Sequence, residues 1–87
     1  MLVNPFPASP SIGTVTVDSS VIREVTYDHQ REILVVRFCD RTTYQYSTVP
    51  LRVYQEFLRA DSKGVYFNRH IRGRFPQRIL TAPDRSN

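Results

Sequence analysis

Alternating apolar and polar positions between residues 21 and 47 predict three β-strands. The middle segment has apolar side chains on both faces, which is typical of a central strand with cover on each side. Four polar residues, 28–31, separate the first two segments, a length that suits a hairpin turn. Residues 12–17 alternate more weakly and would add a fourth strand at an edge. The three segments are residues 21–27, 32–38 and 42–47.

The spacing of apolar residues changes to a helical period after the third strand. In residues 51–60 the apolar side chains form two adjacent rows, and polar side chains fill the other side, as in an amphipathic helix that packs on a sheet. Pro50 is tolerated at the first position of a helix. Ser62 is a suitable N-cap for a second helix that ends near Ile71. We therefore expect an α+β fold: an antiparallel meander of three strands, or four, with two helices packed on one face.

The length of 87 residues corresponds to one domain with little room for a deep catalytic pocket. Residues 1–16 contain Pro5, Pro7 and Pro10 and predict an extended or flexible N-terminal arm. The domain itself should span residues 17–80, within which residues 77–80 are a candidate for one more strand. A flexible tail is expected over residues 81–87.

Charge is distributed unevenly along the chain, whose formal net charge is +4. Residues 1–50 carry four arginines and five acidic residues, whereas residues 51–87 carry eight basic and three acidic residues. This asymmetry favours an anionic partner for the second half. The alternative is a charged, solvated surface that keeps a small protein soluble.

The basic charge is concentrated in residues 63–78, KGVYFNRHIRGRFPQR, which hold five cations and no acidic residue. Aromatic residues are interleaved with the charges, and phosphates require cations while bases require flat apolar faces. We expect the cations to contact phosphates, Tyr66 to stack on a base, and Asn68 and His70 to assist as polar neighbours. The candidate nucleic-acid-binding residues are Lys63, Tyr66, Asn68, Arg69, His70, Arg72, Arg74 and Arg78.

Six short fragments follow one another along the chain: Ser19-Ser20-x-Ile22, Tyr27-Asp28, Tyr44-Gln45-Tyr46, Val49-Pro50, Val53-Tyr54 and Ser62-Lys63-Gly64-x-Tyr66-Phe67-Asn68-x-x-Ile71. Together they resemble the KTSC domain, a small module found at the C-terminus of some lysyl-tRNA synthetases and as stand-alone bacterial proteins. The similarity extends over about residues 17–78, and its hallmark is the central Tyr-x-Tyr. The resemblance implies an RNA context through the synthetases and brings no catalytic residue with it.

Some side chains have two interpretations that the sequence leaves open. Tyr44 and Tyr46 either stack bases on an open sheet face or support the helix that follows them. Arg72 and Arg74 flank Gly73, where they either hold a phosphate or pair with Glu56 or Asp61. His70 either sharpens anion binding or bonds to a neighbouring backbone group.

The sequence offers little support for an enzyme. Cys39, His29 and His70 are the only thiol and imidazoles, and no pair of them has the spacing of metal ligands. We expect no catalytic activity, no cofactor and no metal. The single cysteine, the absence of a long apolar run and the lack of a signal-peptide pattern favour a cytoplasmic protein. The leading hypothesis is an RNA- or single-stranded nucleic-acid-binding module. The alternative is a protein–protein interaction module or a small homo-oligomer without a nucleic-acid ligand.

Overall fold

A five-stranded antiparallel sheet forms the body of the protein, and its strands lie side by side in the order of the sequence. The computed structural model describes residues 12–17 and 19–81. The arm over residues 1–11, Asp18 of the first turn and the tail over residues 82–87 lie outside the described residues. The elements are β1 (Ile12–Thr16), β2 (Ile22–Asp28), β3 (Ile33–Phe38), β4 (Thr43–Tyr46), α1 (Leu51–Arg59), α2 (Lys63–His70) and β5 (Gln77–Thr81).

The α+β class is confirmed, but the sheet has five strands where three or four were expected. Residues 12–17, a candidate edge strand from their alternation although residues 1–16 were assigned to the arm, contribute the edge strand β1, which pairs with β2. At the other edge, β5 pairs with β4 and extends to Thr81. All five residues of β5 are exposed, so the strand lacks the alternation of buried and exposed side chains by which strands are recognised in a sequence.

Acidic side chains organise the turns between the central strands. Asp28 Oδ1 accepts hydrogen bonds from the backbone N–H groups of Gln30 (3.0 Å) and Arg31 (3.2 Å) in the expected β2–β3 hairpin. Asp40 Oδ1 accepts from the Thr42 N–H at 2.9 Å in the β3–β4 turn. Hydrogen bonds from Thr42 lower the pKa of Asp40 below its ordinary value.

The buried core lies between the helices and one face of the sheet. The β2, β3 and β4 side chains that alternate onto this face meet buried residues from α1 and α2 and from the segments that flank them. From the end of α2, Phe67 and Ile71 reach into this core and are 4% and 0% exposed. The buried apolar side chains are Ile22, Val25, Tyr27, Leu34, Val36, Tyr46, Val49, Val53, Phe57, Phe67 and Ile71.

The two helices begin close to the expected positions. Pro50, expected at the first helical position, has extended backbone angles and is instead the N-cap of α1, so the helix begins one residue later, at Leu51. Ser62 is confirmed as the N-cap of α2, and its hydroxyl accepts from the Val65 N–H at 3.3 Å. Helix α2 then leads through a turn into β5.

Candidate nucleic-acid interface

Three arginines lie where α2 ends, and we call Arg69, Arg72 and Arg74 the basic end. Backbone N–H groups of Arg72 and Arg74 donate to the carbonyls of Phe67 (2.8 Å) and Ile71 (3.0 Å), which closes the last turn of the helix. Gly73 has a φ of +75°, a conformation that glycine adopts without strain. This turn brings the side chains of Arg72 and Arg74, both exposed, to the surface on either side of the glycine.

Local carboxylates do not neutralise the basic end. Within residues 12–17 and 19–81, no acidic side chain lies at ion-pair distance from any of the five cations of residues 63–78. Glu56, one of the expected partners, lies 3.8 Å from Arg52 Nη1 instead and also accepts from the Tyr66 hydroxyl at 3.0 Å. No carboxylate of the described residues therefore offsets the charge of the basic end.

Tyr66 faces helix α1 and lies beside His70. The Tyr66 ring stacks on Phe57 with centroids 5.9 Å apart and contacts His70 at 4.5 Å. Burial and the hydrogen bond to the Glu56 carboxylate raise the pKa of Tyr66. Because its ring and hydroxyl contact protein groups, Tyr66 is a poorer stacking surface than its place in the basic run indicates.

The remaining two predicted cations lie apart from the basic end. Lys63 begins α2, and its ammonium donates to the Ala60 carbonyl at 2.7 Å. Arg78 pairs with Gln45 in the sheet, while Gln77 pairs with the buried Tyr46, so Arg78 alternates onto the sheet face away from the helices. The eight predicted residues thus do not form one continuous patch.

Asn68 and Arg72 are brought together beside an open groove of about 800 Å³ that lies between α2 and strands β3 and β4. Arg72 Nη1 donates to Asn68 Oδ1 at 3.2 Å. The Ser19–Ser20 turn and the β3–β4 connection close one end of the groove, and Arg72 and Gln77 lie at the other end. Cys39 is exposed in the groove wall.

Aromatic rings form the inner surface of the groove. Phe67 contacts Phe38 edge to face at 5.3 Å and Tyr46 at 5.5 Å. Tyr46 is only 2% exposed, and burial raises its pKa to about 12, with a smaller contribution from Tyr44. Tyr44 is half-buried and lines the groove. Tyr46 therefore belongs to the core, as one interpretation held, whereas Tyr44 remains accessible to a ligand.

Ser20, Tyr44 and Gln77 line this groove and were not among the predicted site residues. The signal that points to the groove is the set of fragments that resemble the KTSC domain, because several of them meet here although they are distant in the sequence. The residues of those fragments that line the groove are Ser19, Ser20, Tyr44, Tyr46, Ser62, Gly64, Phe67 and Asn68.

The described residues hold no group of three or more His, Cys, Asp or Glu side chains that is able to bind a metal ion. Over the same part of the chain, neither helix has the length and apolar character needed to cross a membrane.

A five-stranded antiparallel sheet with two helices on one face and a groove beside α2 defines a small α+β domain of a known kind. The sequence model of the KTSC domain matches residues 18–75. The chain belongs to the KTSC domain family. In a crystal structure, a KTSC domain protein from Yersinia pestis has a TM-score of 0.77 and 37% sequence identity to this chain, and the match covers 80% of this chain and 99% of that one.

Similar sequences occur both as small proteins and within large enzymes. An uncharacterised protein from Stutzerimonas stutzeri is 43% identical over 54 residues, which cover 62% of this chain and 76% of that protein. A lysine–tRNA ligase from Trichormus variabilis is 38% identical over 64 residues, which cover 74% of this chain. The chain spans only 11% of that ligase's length.

Proposed function

We propose that this protein binds RNA or single-stranded nucleic acid, and that the basic end supplies the main phosphate contacts. The observation that carries the proposal is the absence of acidic partners for Arg69, Arg72 and Arg74 among the described residues. Guanidinium groups bind phosphate oxygens in a bidentate fashion, and several on one surface supply the sequence-independent part of nucleic-acid affinity.

A favourable interaction with the helix dipole explains only some of the basic residues at this end of α2. Arg69 and His70 lie in the last turn of α2, where cations interact favourably with the helix dipole. Arg72 and Arg74 lie beyond the helix on either side of Gly73. A dipole contribution falls off within the last turn, so a ligand is the better explanation for these two exposed arginines.

The relatives give the proposal its context. Several are named as lysine–tRNA ligases, whose names specify a tRNA. The matched part is a minor fraction of each ligase, so we extend only nucleic-acid contact to this chain and not the ligase reaction. Contact through phosphates predicts binding that tolerates many sequences.

The test is the affinity of the purified protein for a fluorescently labelled single-stranded RNA, measured by anisotropy at several salt concentrations. If the three arginines each neutralise one phosphate, log K should fall with log salt at a slope of about −2, since each contact contributes about −0.7 on a single strand. Arg72→Ala combined with Arg74→Ala should make the slope shallower by about 1.4 and weaken binding at low salt.

A matched control removes the same amount of charge elsewhere. Arg37 lies on the sheet face away from the helices, and Arg59 ends α1, near the beginning of α2. Arg37→Ala combined with Arg59→Ala should leave the slope close to that of the unmodified protein. Equal losses of RNA affinity in the two double variants would show that net charge alone drives binding. Undetectable binding of the unmodified protein to RNA at low salt would refute the proposal.

The edge strand β5 supports a second candidate, a protein–protein interaction module. Ile79 and Leu80 are 49% and 44% exposed on a strand whose outer edge is unpaired within the described residues. Exposed edges of this kind pair with strands of other chains. Sedimentation analysis should then show self-association that Ile79→Lys abolishes, and a monomer at all concentrations would exclude the homo-oligomer.

A further inference from the structure

We propose that the groove beside α2 holds one unpaired nucleobase of the bound strand, with the phosphate of that nucleotide at Arg72. This inference rests on the proposed function and extends it, because a basic surface alone binds phosphates without contacting bases. It assigns a role to Tyr44, Gln77 and Ser20, none of which belongs to the basic end.

The groove has the size and lining of a ligand site. Its volume of about 800 Å³ falls within the range of about 300–1,000 Å³ that is usual for small-molecule pockets. Its inner surface is aromatic and its rim is polar. Sites that bind single-stranded RNA combine the same features, since bases that leave the stack need an apolar face and hydrogen-bonding groups at their edges.

Tyr44 provides a stacking surface that is held in place before a ligand arrives. Phe38 contacts its ring edge to face, with centroids 6.1 Å apart and planes at 82°, and Tyr46 packs against it at 6.2 Å. Both neighbours belong to the core or pack against it. A ring whose orientation is fixed loses little conformational entropy when a base stacks on it.

The rim has hydrogen-bonding groups that form no hydrogen bond with any described residue. These groups are the Gln77 amide and the hydroxyls of Tyr44 and Ser20. Asn68 uses its Oδ1 for Arg72, and its amide N–H groups have no acceptor among the described residues. Side-chain amides carry both donors and acceptors, as the edges of bases do.

The charges at the two ends of the groove give a bound nucleotide a direction. Arg72 lies at one end, and Asp40 contributes a carboxylate at the other. Phosphate is attracted to the arginine and repelled by the carboxylate. Carboxylates accept hydrogen bonds from base amino groups, so the base should point from Arg72 past Tyr44 towards Asp40.

The experiment compares a single-stranded RNA decamer with an abasic decamer of the same length and phosphate charge. The unmodified protein should bind the base-bearing strand about tenfold more tightly, in keeping with the contribution of one stacked base. Tyr44→Ala and Gln77→Ala should each reduce this ratio towards one. Gln55→Ala, which removes the same amide from the exposed side of α1, should leave the ratio unchanged.

The outcomes separate the two proposals. If neither strand binds, both the proposed function and the groove proposal fail. Equal affinities for the two strands, or a tenfold ratio that persists in Tyr44→Ala and Gln77→Ala, would overturn the groove proposal and leave the proposed function intact. Gln77 is exposed, so Gln77→Ala decides the matter even if circular dichroism shows that Tyr44→Ala does not fold.

Discussion

Tyr27 connects the sheet to the beginning of α1 through a single hydroxyl. Its hydroxyl donates to the Val49 carbonyl at 2.6 Å in a buried position. Tyr27→Phe would leave that carbonyl without its donor, and a buried polar group without a partner costs about 1–3 kcal/mol. We expect chemical denaturation to show a loss of unfolding free energy in this range.

Tyr54→Phe is the control for this substitution. The Tyr54 ring stacks on Tyr27 at 4.4 Å, yet its hydroxyl makes no hydrogen bond within the described part of the chain. Its removal should change the unfolding free energy by less than about 0.5 kcal/mol. Similar losses in the two variants would show that the hydrogen bond to Val49 is not the source of the effect.

Tyr46 should make the protein sensitive to high pH. Burial raises its pKa to about 12 in the folded state, whereas an unfolded tyrosine titrates near its ordinary value of about 10. The folded state thus favours the neutral form, and this contribution to stability is complete below pH 10 and is lost as the pH rises from 10 towards 12. Denaturation midpoints measured across this range should fall with pH.

Tyr46→Phe removes one group from that titration. The decline above pH 10 should become shallower but not disappear, because burial also raises the pKa values of Tyr27, Tyr54 and Tyr66. If stability falls with pH equally steeply in Tyr46→Phe, Tyr46 is not a source of the decline. Tyrosinate absorbance, measured against pH for both proteins, should show one fewer tyrosine with a raised pKa in Tyr46→Phe.

At the scale of the elements, the stability of helix α2 depends on its N-cap, Ser62. The Ser62 hydroxyl accepts from the Val65 N–H and satisfies one of the free donors of the helix. Ser62→Ala should lower the unfolding free energy by about 1 kcal/mol. Ser20→Ala is the matched control, because the Ser20 hydroxyl makes no hydrogen bond within residues 12–17 and 19–81, and thermal denaturation of both variants compares them. A loss no larger than that of the control would mean that the cap does not stabilise α2.

Local chemistry made some elements predictable from the sequence. The β2–β3 hairpin, the central strand β3 and the cap at Ser62 each depend on residues that are neighbours in the chain. The edge strands β1 and β5 were predicted only as candidates, residues 12–17 as a fourth strand and residues 77–80 as one more. Backbone pairing with a neighbouring strand defines an edge strand, and an exposed strand such as β5 has no hydrophobic pattern to reveal it.

The site was less predictable than the fold because it is assembled from distant segments. The acid-free run of residues 63–78 identified Asn68 and Arg72, which do meet. It did not show that α2 turns Tyr66 towards α1 or that β5 turns Arg78 to the opposite face of the sheet. The groove walls come from four parts of the chain, and no periodicity in a sequence links such parts.

Across the part of the molecule that the structure describes, the buried apolar side chains form one cluster, which extends from Ile22 to Ile71 in the sequence. Strand β5 contributes none of these side chains and is joined to β4 by backbone pairing. Pro76 just before it accepts a hydrogen bond from the Ser47 N–H at 2.9 Å. The core should therefore fold even when β5 is removed.

A chain that ends at Pro76 tests this separation, and a chain that ends at Thr81 is the matched reference because it keeps β5. Each pairing hydrogen bond contributes about 0.5–1.5 kcal/mol, and ordering the backbone of each residue costs about 1–2 kcal/mol. These two free-energy contributions largely offset one another. The shorter chain should therefore lose no more than about 3 kcal/mol of unfolding free energy and keep one cooperative unfolding transition.

Circular dichroism and tyrosine fluorescence should report coincident transitions in both chains, as expected for a single core. The shorter chain also lacks Gln77 and Arg78, and without Gln77 the groove is open at the end where Arg72 lies. Its preference for base-bearing over abasic RNA should fall even though it is folded. If the shorter chain instead has no cooperative transition, β5 is part of the folding unit, because pairing with β4 is then required to hold the core strands in register.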